Sequence, residues 1–362
     1  MSAKIKLRSQ LHLLTGFIAG FICAFVLLLY VYDVSRVSPC WTSSSSSSSS
    51  PVSVAMDALS RTEVLPPARI LCMVLTCPEN VEDLARTVYD TWGRRCNHLI
   101  FVSSENYQPL GVVQVVEANG GAYEDLWNKT REGFRHVWEN FGQDFDWFLK
   151  ADDDTYVVME NLHHLLSGFD PDTPVYFGYK MTRYNVSYMS GGASYVLSRE
   201  ALNRFMTQAY GSSVICPEPK KMGIEDFYMG ICLQNVGVHF VDSAQSLDGD
   251  PKPKFMPLNL EHYLADSNST IPDWLRLMSV SRVETGLRCC SNYSVAFHYA
   301  NRERMFLYEF LIYYLRVFDH NLSSGRNQRY LLNSSDLNRR FPLEDNLNIK
   351  DLIQMSEKPE NF

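Results

Sequence analysis

The sequence predicts an α/β fold, Rossmann-like in class, with a sheet that carries helices on its faces. Three observations predict it. Short runs of branched and aromatic apolar residues, such as "RILCMVLTC" from Arg69 and "HLIFVSS" from His98, have the length of buried strands. Segments between them repeat apolar residues at helical spacing. The two kinds alternate as β-α-β-β-α-β.

The first strand, from Arg69, leads into a helix over "NVEDLARTVYDTWGRRC", where Leu84, Val88 and Trp92 recur on one side and Gly93 marks the end. "HLIFVSS" and "GVVQVVEA" are the next strands. "YEDLWNKTREGFRHVWENF" is an amphipathic helix with Leu126, Phe134, Val137, Trp138 and Phe141 on its apolar side. "FDWFLKADDD" is a strand ending on three aspartates. The second half adds strands at "PVYFGYK" and "ASYVLS", helices over about 199–209 and 225–235, and a late strand at "VAFHYA". Ser198 caps the first of these helices, with Glu200 in its first turn. The apolar segment "ERMFLYEFLIYYLRVF" looks at first like a membrane span. Its charges at Glu303, Arg304, Glu309 and Arg316 make it a core or interface helix instead.

A different kind of chain precedes the fold. Lys4, Lys6 and Arg8 lead into an almost uncharged run from Leu13 to Tyr32, long enough to span a bilayer. A cleaved signal peptide would have a shorter apolar core and an A-x-A-like site, so a signal anchor with a cytosolic N-terminus is expected. A serine tract then reads as a flexible stem. The expected organisation is a cytoplasmic tail over 1–12, a transmembrane anchor over 13–32, a stem over 33–68, a luminal catalytic domain over 69–340 and a C-terminal tail over 341–362. Six sequons, at Asn128, Asn185, Asn268, Asn292, Asn321 and Asn333, agree with a luminal domain. So do eight cysteines beyond Cys23, which in an oxidising compartment are mostly disulfides. Adjacent Cys289 and Cys290 form either a vicinal disulfide or two separate bridges. A net charge of −8 excludes a nucleic-acid binder, which needs basic patches.

The chemistry is suggested by "LKADDDTYVVM". Carboxylates at the end of a buried strand repel one another unless a cation lies between them. In extended geometry Asp152 and Asp154 point to the same side and Asp153 to the other. An isolated D-x-D is ordinarily a solvated turn. After a buried strand of an α/β domain, at the edge where such sheets bind ligands, it suits a divalent ion and the phosphates of a nucleotide sugar. A calcium loop is excluded by the missing glycine and distal glutamate. Gly191 and Gly192 allow close backbone approach to a ligand, or simply turn the chain before a strand. Glu225 and Asp226 head a helix, where they either complement its dipole or supply a general base. His298 lies amid apolar residues, as a core residue or as a further metal ligand.

Taken together, "DWFLKADDDTYV", "YFG", "YMSGGASYVLSREAL", "IEDFYMG" and "CCSNYSVAFHY" resemble the core 1 β1,3-galactosyltransferases of the fringe-like group, from about Arg69 to beyond His298. The resemblance implies a GT-A fold on a type II Golgi membrane anchor, and a homodimer. It implies inverting transfer of galactose from UDP-galactose to the 3-hydroxyl of GalNAc on Ser or Thr of a glycoprotein, with Mn²⁺. It places Asp152, Asp154 and His298 at the metal and makes Asp226 the base. Thr76, Arg95, Lys129, Asp153, Gly191 and Gly192 fall on the donor side, Trp274 and Glu225 on the acceptor side. It pairs Cys72 with Cys96, Cys216 with Cys232 and Cys289 with Cys290, and leaves Cys77 as a free thiol where relatives often have glycine. One departure stands out. Between Trp274 and Cys289 the family carries a cluster of Trp, Tyr and Asn, and this chain reads "WLRLMSVSRVETGLR". A different acceptor, a different UDP-sugar, or a catalytically silent chaperone-like relative are the alternatives. The aspartate triplet argues against the last.

Overall fold

The computed structural model describes residues 68–117, 126–217, 224–245, 250–265 and 270–316. The expected anchor, stem and C-terminal tail, together with Cys40, Asn268, Asn321 and Asn333, lie outside the described residues. Among the described residues no helix is long and apolar enough to cross a membrane.

The described residues form strands β1 (Ile70–Leu75), β2 (His98–Ser103), β3 (Val112–Gln114), β4 (Trp147–Asp152), β5 (Tyr156–Val157), β6 (Val175–Gly178), β7 (Lys180–Arg183), β8 (Val186–Met189), β9 (Tyr195–Ser198), β10 (His239–Asp242), β11 (Phe255–Met256) and β12 (Ala296–Phe297). The helices are α1 (Arg86–Asp90), α2 (Leu126–Phe141), α3 (Met159–Leu166), α4 (Arg199–Arg204), α5 (Glu225–Asn235), α6 (Leu260–Leu264), α7 (Asp273–Met278) and α8 (Arg302–Glu309).

Seven strands form the central sheet in the order β10-β6-β9-β4-β1-β2-β3. Every neighbouring pair is parallel except the two that involve β9, so β9 alone runs against the rest. A parallel sheet is covered on both faces, and β1 shows how. Ile70, Cys72 and Val74 enter one apolar cluster with α1, α3 and α8. Leu71, Met73 and Leu75 enter the other with α2, α4 and α5. The side-chain period of two divides a continuous apolar run between two cores. A second sheet, β11-β12-β5, extends from the end of β4, and β7 and β8 form a hairpin.

The expected first helix is broken. Thr87 and Thr91 turn their hydroxyls back to the carbonyls of Asp83 and Thr87, at 2.6 and 2.7 Å. Such back-bonding competes with the helical ladder, and the segment becomes a wide turn, the short α1 and a tight turn over Trp92–Arg95. The strand expected at "GVVQVVEA" shrinks to three residues at the sheet edge. Ser198 caps α4 as expected, its oxygen accepting from the Ala201 amide. Cysteine pairs 72–96, 216–232 and 289–290 are disulfides, the last between neighbours, and Cys77 is free.

Candidate active site

The chain leaves β1 toward β2 and β3 on one side and re-enters at β4 on the other. Strand order reverses there, and α/β sheets bind ligands in the crevice outside the strand ends at such a point. Leu75 and Asp152, the last residues of β1 and β4, lie opposite each other. A cavity of about 530 Å³ opens beyond them. It gathers Thr76, Lys129, Asp152, Asp153, Asp154, Gly191, Gly192, Glu225, Asp226, Trp274 and His298.

The three aspartates take three different positions. Asp152 is the last residue of β4. Its chain then turns, the Thr155 amide donating to the Asp152 carbonyl at 3.1 Å. The turn, rather than continued extension, brings Asp154 back beside Asp152. Asp153 is buried; its Oδ2 accepts from the Thr76 hydroxyl at 2.7 Å, and Lys129 Nζ donates to the Thr76 carbonyl at 2.8 Å. Burial pushes the Asp153 carboxyl up to about 7, against the Thr76 hydrogen bond and with help from its acidic neighbours.

His298 comes from far along the chain. β12 pairs antiparallel with β5, Phe297 opposite Tyr156. Continued by one residue, that register sets His298 opposite Thr155 and beside Asp154. The Ala300 amide donates to the Asp154 carbonyl at 2.7 Å and locks the arrangement. Nδ1 of His298 is 3.1 Å from the Pro257 carbonyl. A carbonyl only accepts, so Nδ1 carries the proton and Nε2 faces Asp154 Oδ1, 3.3 Å away. Burial disfavours the imidazolium, but Asp154 more than compensates and raises the pKa. Asp152, Asp154 and His298 each offer a ligand atom within 4.8 Å of the others. Two carboxylates and an imidazole suit a hard or borderline divalent cation.

The glycine pair has a steric purpose on each side. A Cβ on Gly192 would fall 2.1 Å from His298 Cε1, and one on Gly191 would fall 2.6 Å from Glu225 Oε2. The Gly191 amide donates to Asp226 Oδ2 at 2.9 Å, while Asp226 Oδ1 accepts from the Phe227 amide at 2.8 Å. Asp226 thus stands half-buried in the first turn of α5, each oxygen held by one backbone N–H. Burial raises its pKa, opposed by the Gly191 hydrogen bond and by Lys150. That is the setting of a carboxylate made more ready to accept a proton.

Two expected residues are placed differently. Arg95 is absent from the cavity lining. It packs on the Tyr313 ring at 3.5 Å and forms a two-pronged ion pair with Glu309 at 2.7 and 3.0 Å, fastening α8 to the body of the fold. A guanidinium with a buried carboxylate in reach is committed to it rather than to a nucleotide. Glu225, expected beside the acceptor, is only 3% exposed and turns inward. Its Oε1 accepts from Tyr195 at 2.6 Å and its Oε2 lies 3.5 Å from Lys150 Nζ. Burial lifts it to about 7, with Lys150 pulling the other way.

Sequence reasoning missed Arg183, Tyr188 and Met278, which line the cavity together with Trp274. The first two sit on the β7–β8 hairpin, whose two-residue turn places Tyr184 and Asn185 at positive φ. Asn at such a turn was the available signal. Tyr188 donates to Met278 Sδ at 3.5 Å, and Met181 bridges to Ser279, so the altered segment after Trp274 is docked on this hairpin. The sequon asparagines Asn128, Asn185 and Asn292 are all exposed.

Residues 66–246, which carry the aspartate triplet, the glycine pair and Asp226, match the Fringe-like family model. The cavity at the strand-order reversal, lined by a carboxylate-imidazole donor set, thus lies in a chain of the fringe-like class of glycosyltransferases. The chain is 37% identical over 254 residues to glycoprotein-N-acetylgalactosamine 3-beta-galactosyltransferase 1 of Xenopus laevis, covering 69% of this chain and 67% of that one. It belongs to the Fringe-like family and, within it, to the core 1 β1,3-galactosyltransferase family. A human beta-1,3-glucosyltransferase is 31% identical over 178 residues, 47% of this chain and 33% of that protein. A solved glycosyltransferase involved in glycosylating the PBCV-1 major capsid has a TM-score of 0.27 at 17% identity, over 37% of this chain and 61% of that one, too distant to bear on the site.

Proposed function

We propose that this chain is an inverting β1,3-galactosyltransferase that moves galactose from UDP-galactose to the 3-hydroxyl of GalNAc linked to Ser or Thr. The observation that carries the reading is the convergence of Asp152, Asp154 and His298 at one cavity with Asp226 on its wall. The similarity to the Xenopus laevis enzyme supports the sugar and acceptor. Asp152, Asp154 and His298 would hold Mn²⁺, which when bound neutralises the departing diphosphate. Asp226 accepts the proton of the incoming hydroxyl, which attacks the anomeric carbon from the face opposite the leaving group. One displacement inverts that carbon, and no covalent nucleophile is needed. Thr76 and Lys129 line the same cavity beside Asp153, on the donor side.

The reading includes a GT-A fold, a type II anchor over 13–32 with the catalytic domain in the Golgi lumen, and a homodimer. The sequons and disulfides support the lumen. Purified full-length protein with UDP-galactose, Mn²⁺ and a GalNAc-peptide is expected to release UDP; no turnover with any UDP-sugar would defeat the proposal. One observation favours a second reading, another acceptor for the same chemistry. The segment after Trp274, "LRLMSVSRVETGLR", brings Met278 to the cavity and contributes no further aromatic ring. An acceptor array distinguishes the two.

A further inference from the structure

Among the described residues, the most deeply enclosed charge has no part in the reading above. Lys150 lies on β4 two residues before Asp152, on the same face of the strand. Its side chain is fully buried. Its ammonium is 2.7 Å from Asp152 Oδ1, 3.5 Å from Glu225 Oε2 and 3.3 Å from the Gly191 carbonyl. These partners come from three elements: the end of β4, the first turn of α5 and the glycine turn before β9. Each also carries a piece of the site. Asp152 is in the cation-binding set, Gly191 donates its amide to Asp226, and Glu225 directly precedes Asp226 in the chain. Lys150 engages Oδ1 of Asp152, and among the described residues Oδ2 receives no hydrogen bond.

Burying an ammonium is costly unless it is paired and hydrogen-bonded. The pairing here extends past Glu225. Tyr195, opposite Lys150 in the β4–β9 register, donates to Glu225 Oε1 at 2.6 Å. The result is a closed chain of Asp152, Lys150, Glu225 and Tyr195 behind the cavity wall. A salt bridge that served only stability would be replaceable by apolar packing. This one instead fixes the spacing between the cation-binding carboxylate and the helix that carries Asp226.

We propose that Lys150 is a positioning residue, an outer-shell partner that orients Asp152 toward the bound cation and ties it to α5 through Glu225 and Gly191. The inference rests on the galactosyltransferase reading for its cation and its base, but its test does not depend on turnover alone. Outer-shell partners of metal ligands typically contribute 10–100-fold in metal affinity or activity.

The test compares full-length wild type with Lys150→Met and with the double variant Lys150→Met/Glu225→Gln. Lys150→Met leaves Glu225 buried without its cation and is expected to lower Tm sharply. The double variant removes that imbalance and is expected to recover most of the Tm. Mn²⁺ affinity, read by titration of the free-ion paramagnetic resonance signal, is expected to stay about 10–100-fold weaker in the double variant. Its kcat is expected to fall with acceptor KM little changed. Recovery of Mn²⁺ affinity and kcat to within about two-fold of wild type together with Tm would reduce Lys150 to a stability element and overturn the inference. Wild type failing to bind Mn²⁺ overturns the metal reading itself. Wild type binding normally beside an unchanged double variant overturns the role of Lys150 alone.

Discussion

A single methyl group at position 192 tests the metal site without replacing any proposed metal ligand. In Gly192→Ala the new Cβ would lie 2.1, 2.4 and 2.5 Å from Cε1, Nδ1 and Nε2 of His298. Carbon atoms pack at 3.5 Å or more, so the ring must retreat by about 1.4 Å. The backbone at 192 is not in the left-handed region, and the whole effect falls on the ring. Metal–ligand distances tolerate only about 0.2 Å, so a shift of that size removes the imidazole from the coordination shell. Overpacking of this kind costs about 1–3 kcal/mol of stability. The loss should sit near the lower end, because Tyr299, on which His298 stacks, is 46% exposed. Mn²⁺-dependent UDP binding, measured by calorimetry, is expected to weaken about 100-fold or more, beyond the usual outer-shell effect. The double variant Gly192→Ala/His298→Ala should bind no worse than His298→Ala, since the methyl then meets no ring. UDP binding within about two-fold of wild type in Gly192→Ala would refute the assignment of His298 to the metal.

Other perturbations separate the remaining roles. Asp226→Asn should preserve UDP binding and lower transfer by about 10²–10⁴-fold, as loss of a general base does; unchanged transfer in a steady-state assay would remove Asp226 from the chemistry. Arg95→Ala should cost about 1–3 kcal/mol in urea unfolding, less than a fully buried pair because Arg94 and Tyr156 still reach Glu309, and should leave UDP binding alone. Trp274→Ala should raise acceptor KM about 10-fold with donor binding intact, the scale of one lost aromatic contact. Glu225 has a native pKa near 7, raised from 4.5, so the folded state holds its proton over a range in which the unfolded state has released it. Its contribution is therefore full below about pH 4.5 and is lost as pH rises through 7, up to about 3 kcal/mol. With metal chelated, wild type should lose stability relative to Glu225→Gln between pH 5 and 8; parallel pH profiles would contradict this.

The parts of the fold legible in the sequence are those written in local pattern. The apolar run of β1 and the amphipathic stripe of α2 carry their periods openly, and the aspartate triplet announces a strand end. The convergence of Asp152 with Asp154 was expected from extended geometry, yet a turn produces it; the sequence shows the pair but not the turn. Arg95 illustrates a limit of another kind. Its segment resembles one that contacts a nucleotide, but its partner Glu309 is 214 residues away and no local signal links them. Glu225 and Asp226 look interchangeable in "GIEDFYMG". The packing of α5 against β8 sets Glu225 within reach of the Tyr195 hydroxyl, while the Gly191 and Phe227 amides hold Asp226. Lys150 was overlooked because a lysine inside an apolar run reads as an interruption, although its two-residue offset from Asp152 places both on one face.

The β5–β12 register has a consequence for how the protein is made. A separation of 144 positions from Asp154 to His298 parts the two carboxylates from the imidazole in time as well as in sequence. At about 5–20 residues per second, the ribosome needs roughly 7–30 s to travel from one to the other. During that interval β1, β2 and β4 are already synthesised, and Asp152 and Asp154 exist without the strand that completes their set. Closure of β12 onto β5 is thus the event that brings His298 to Asp152 and Asp154. A chain cut short before Ala296 would keep the strands of the central sheet and still lack that imidazole.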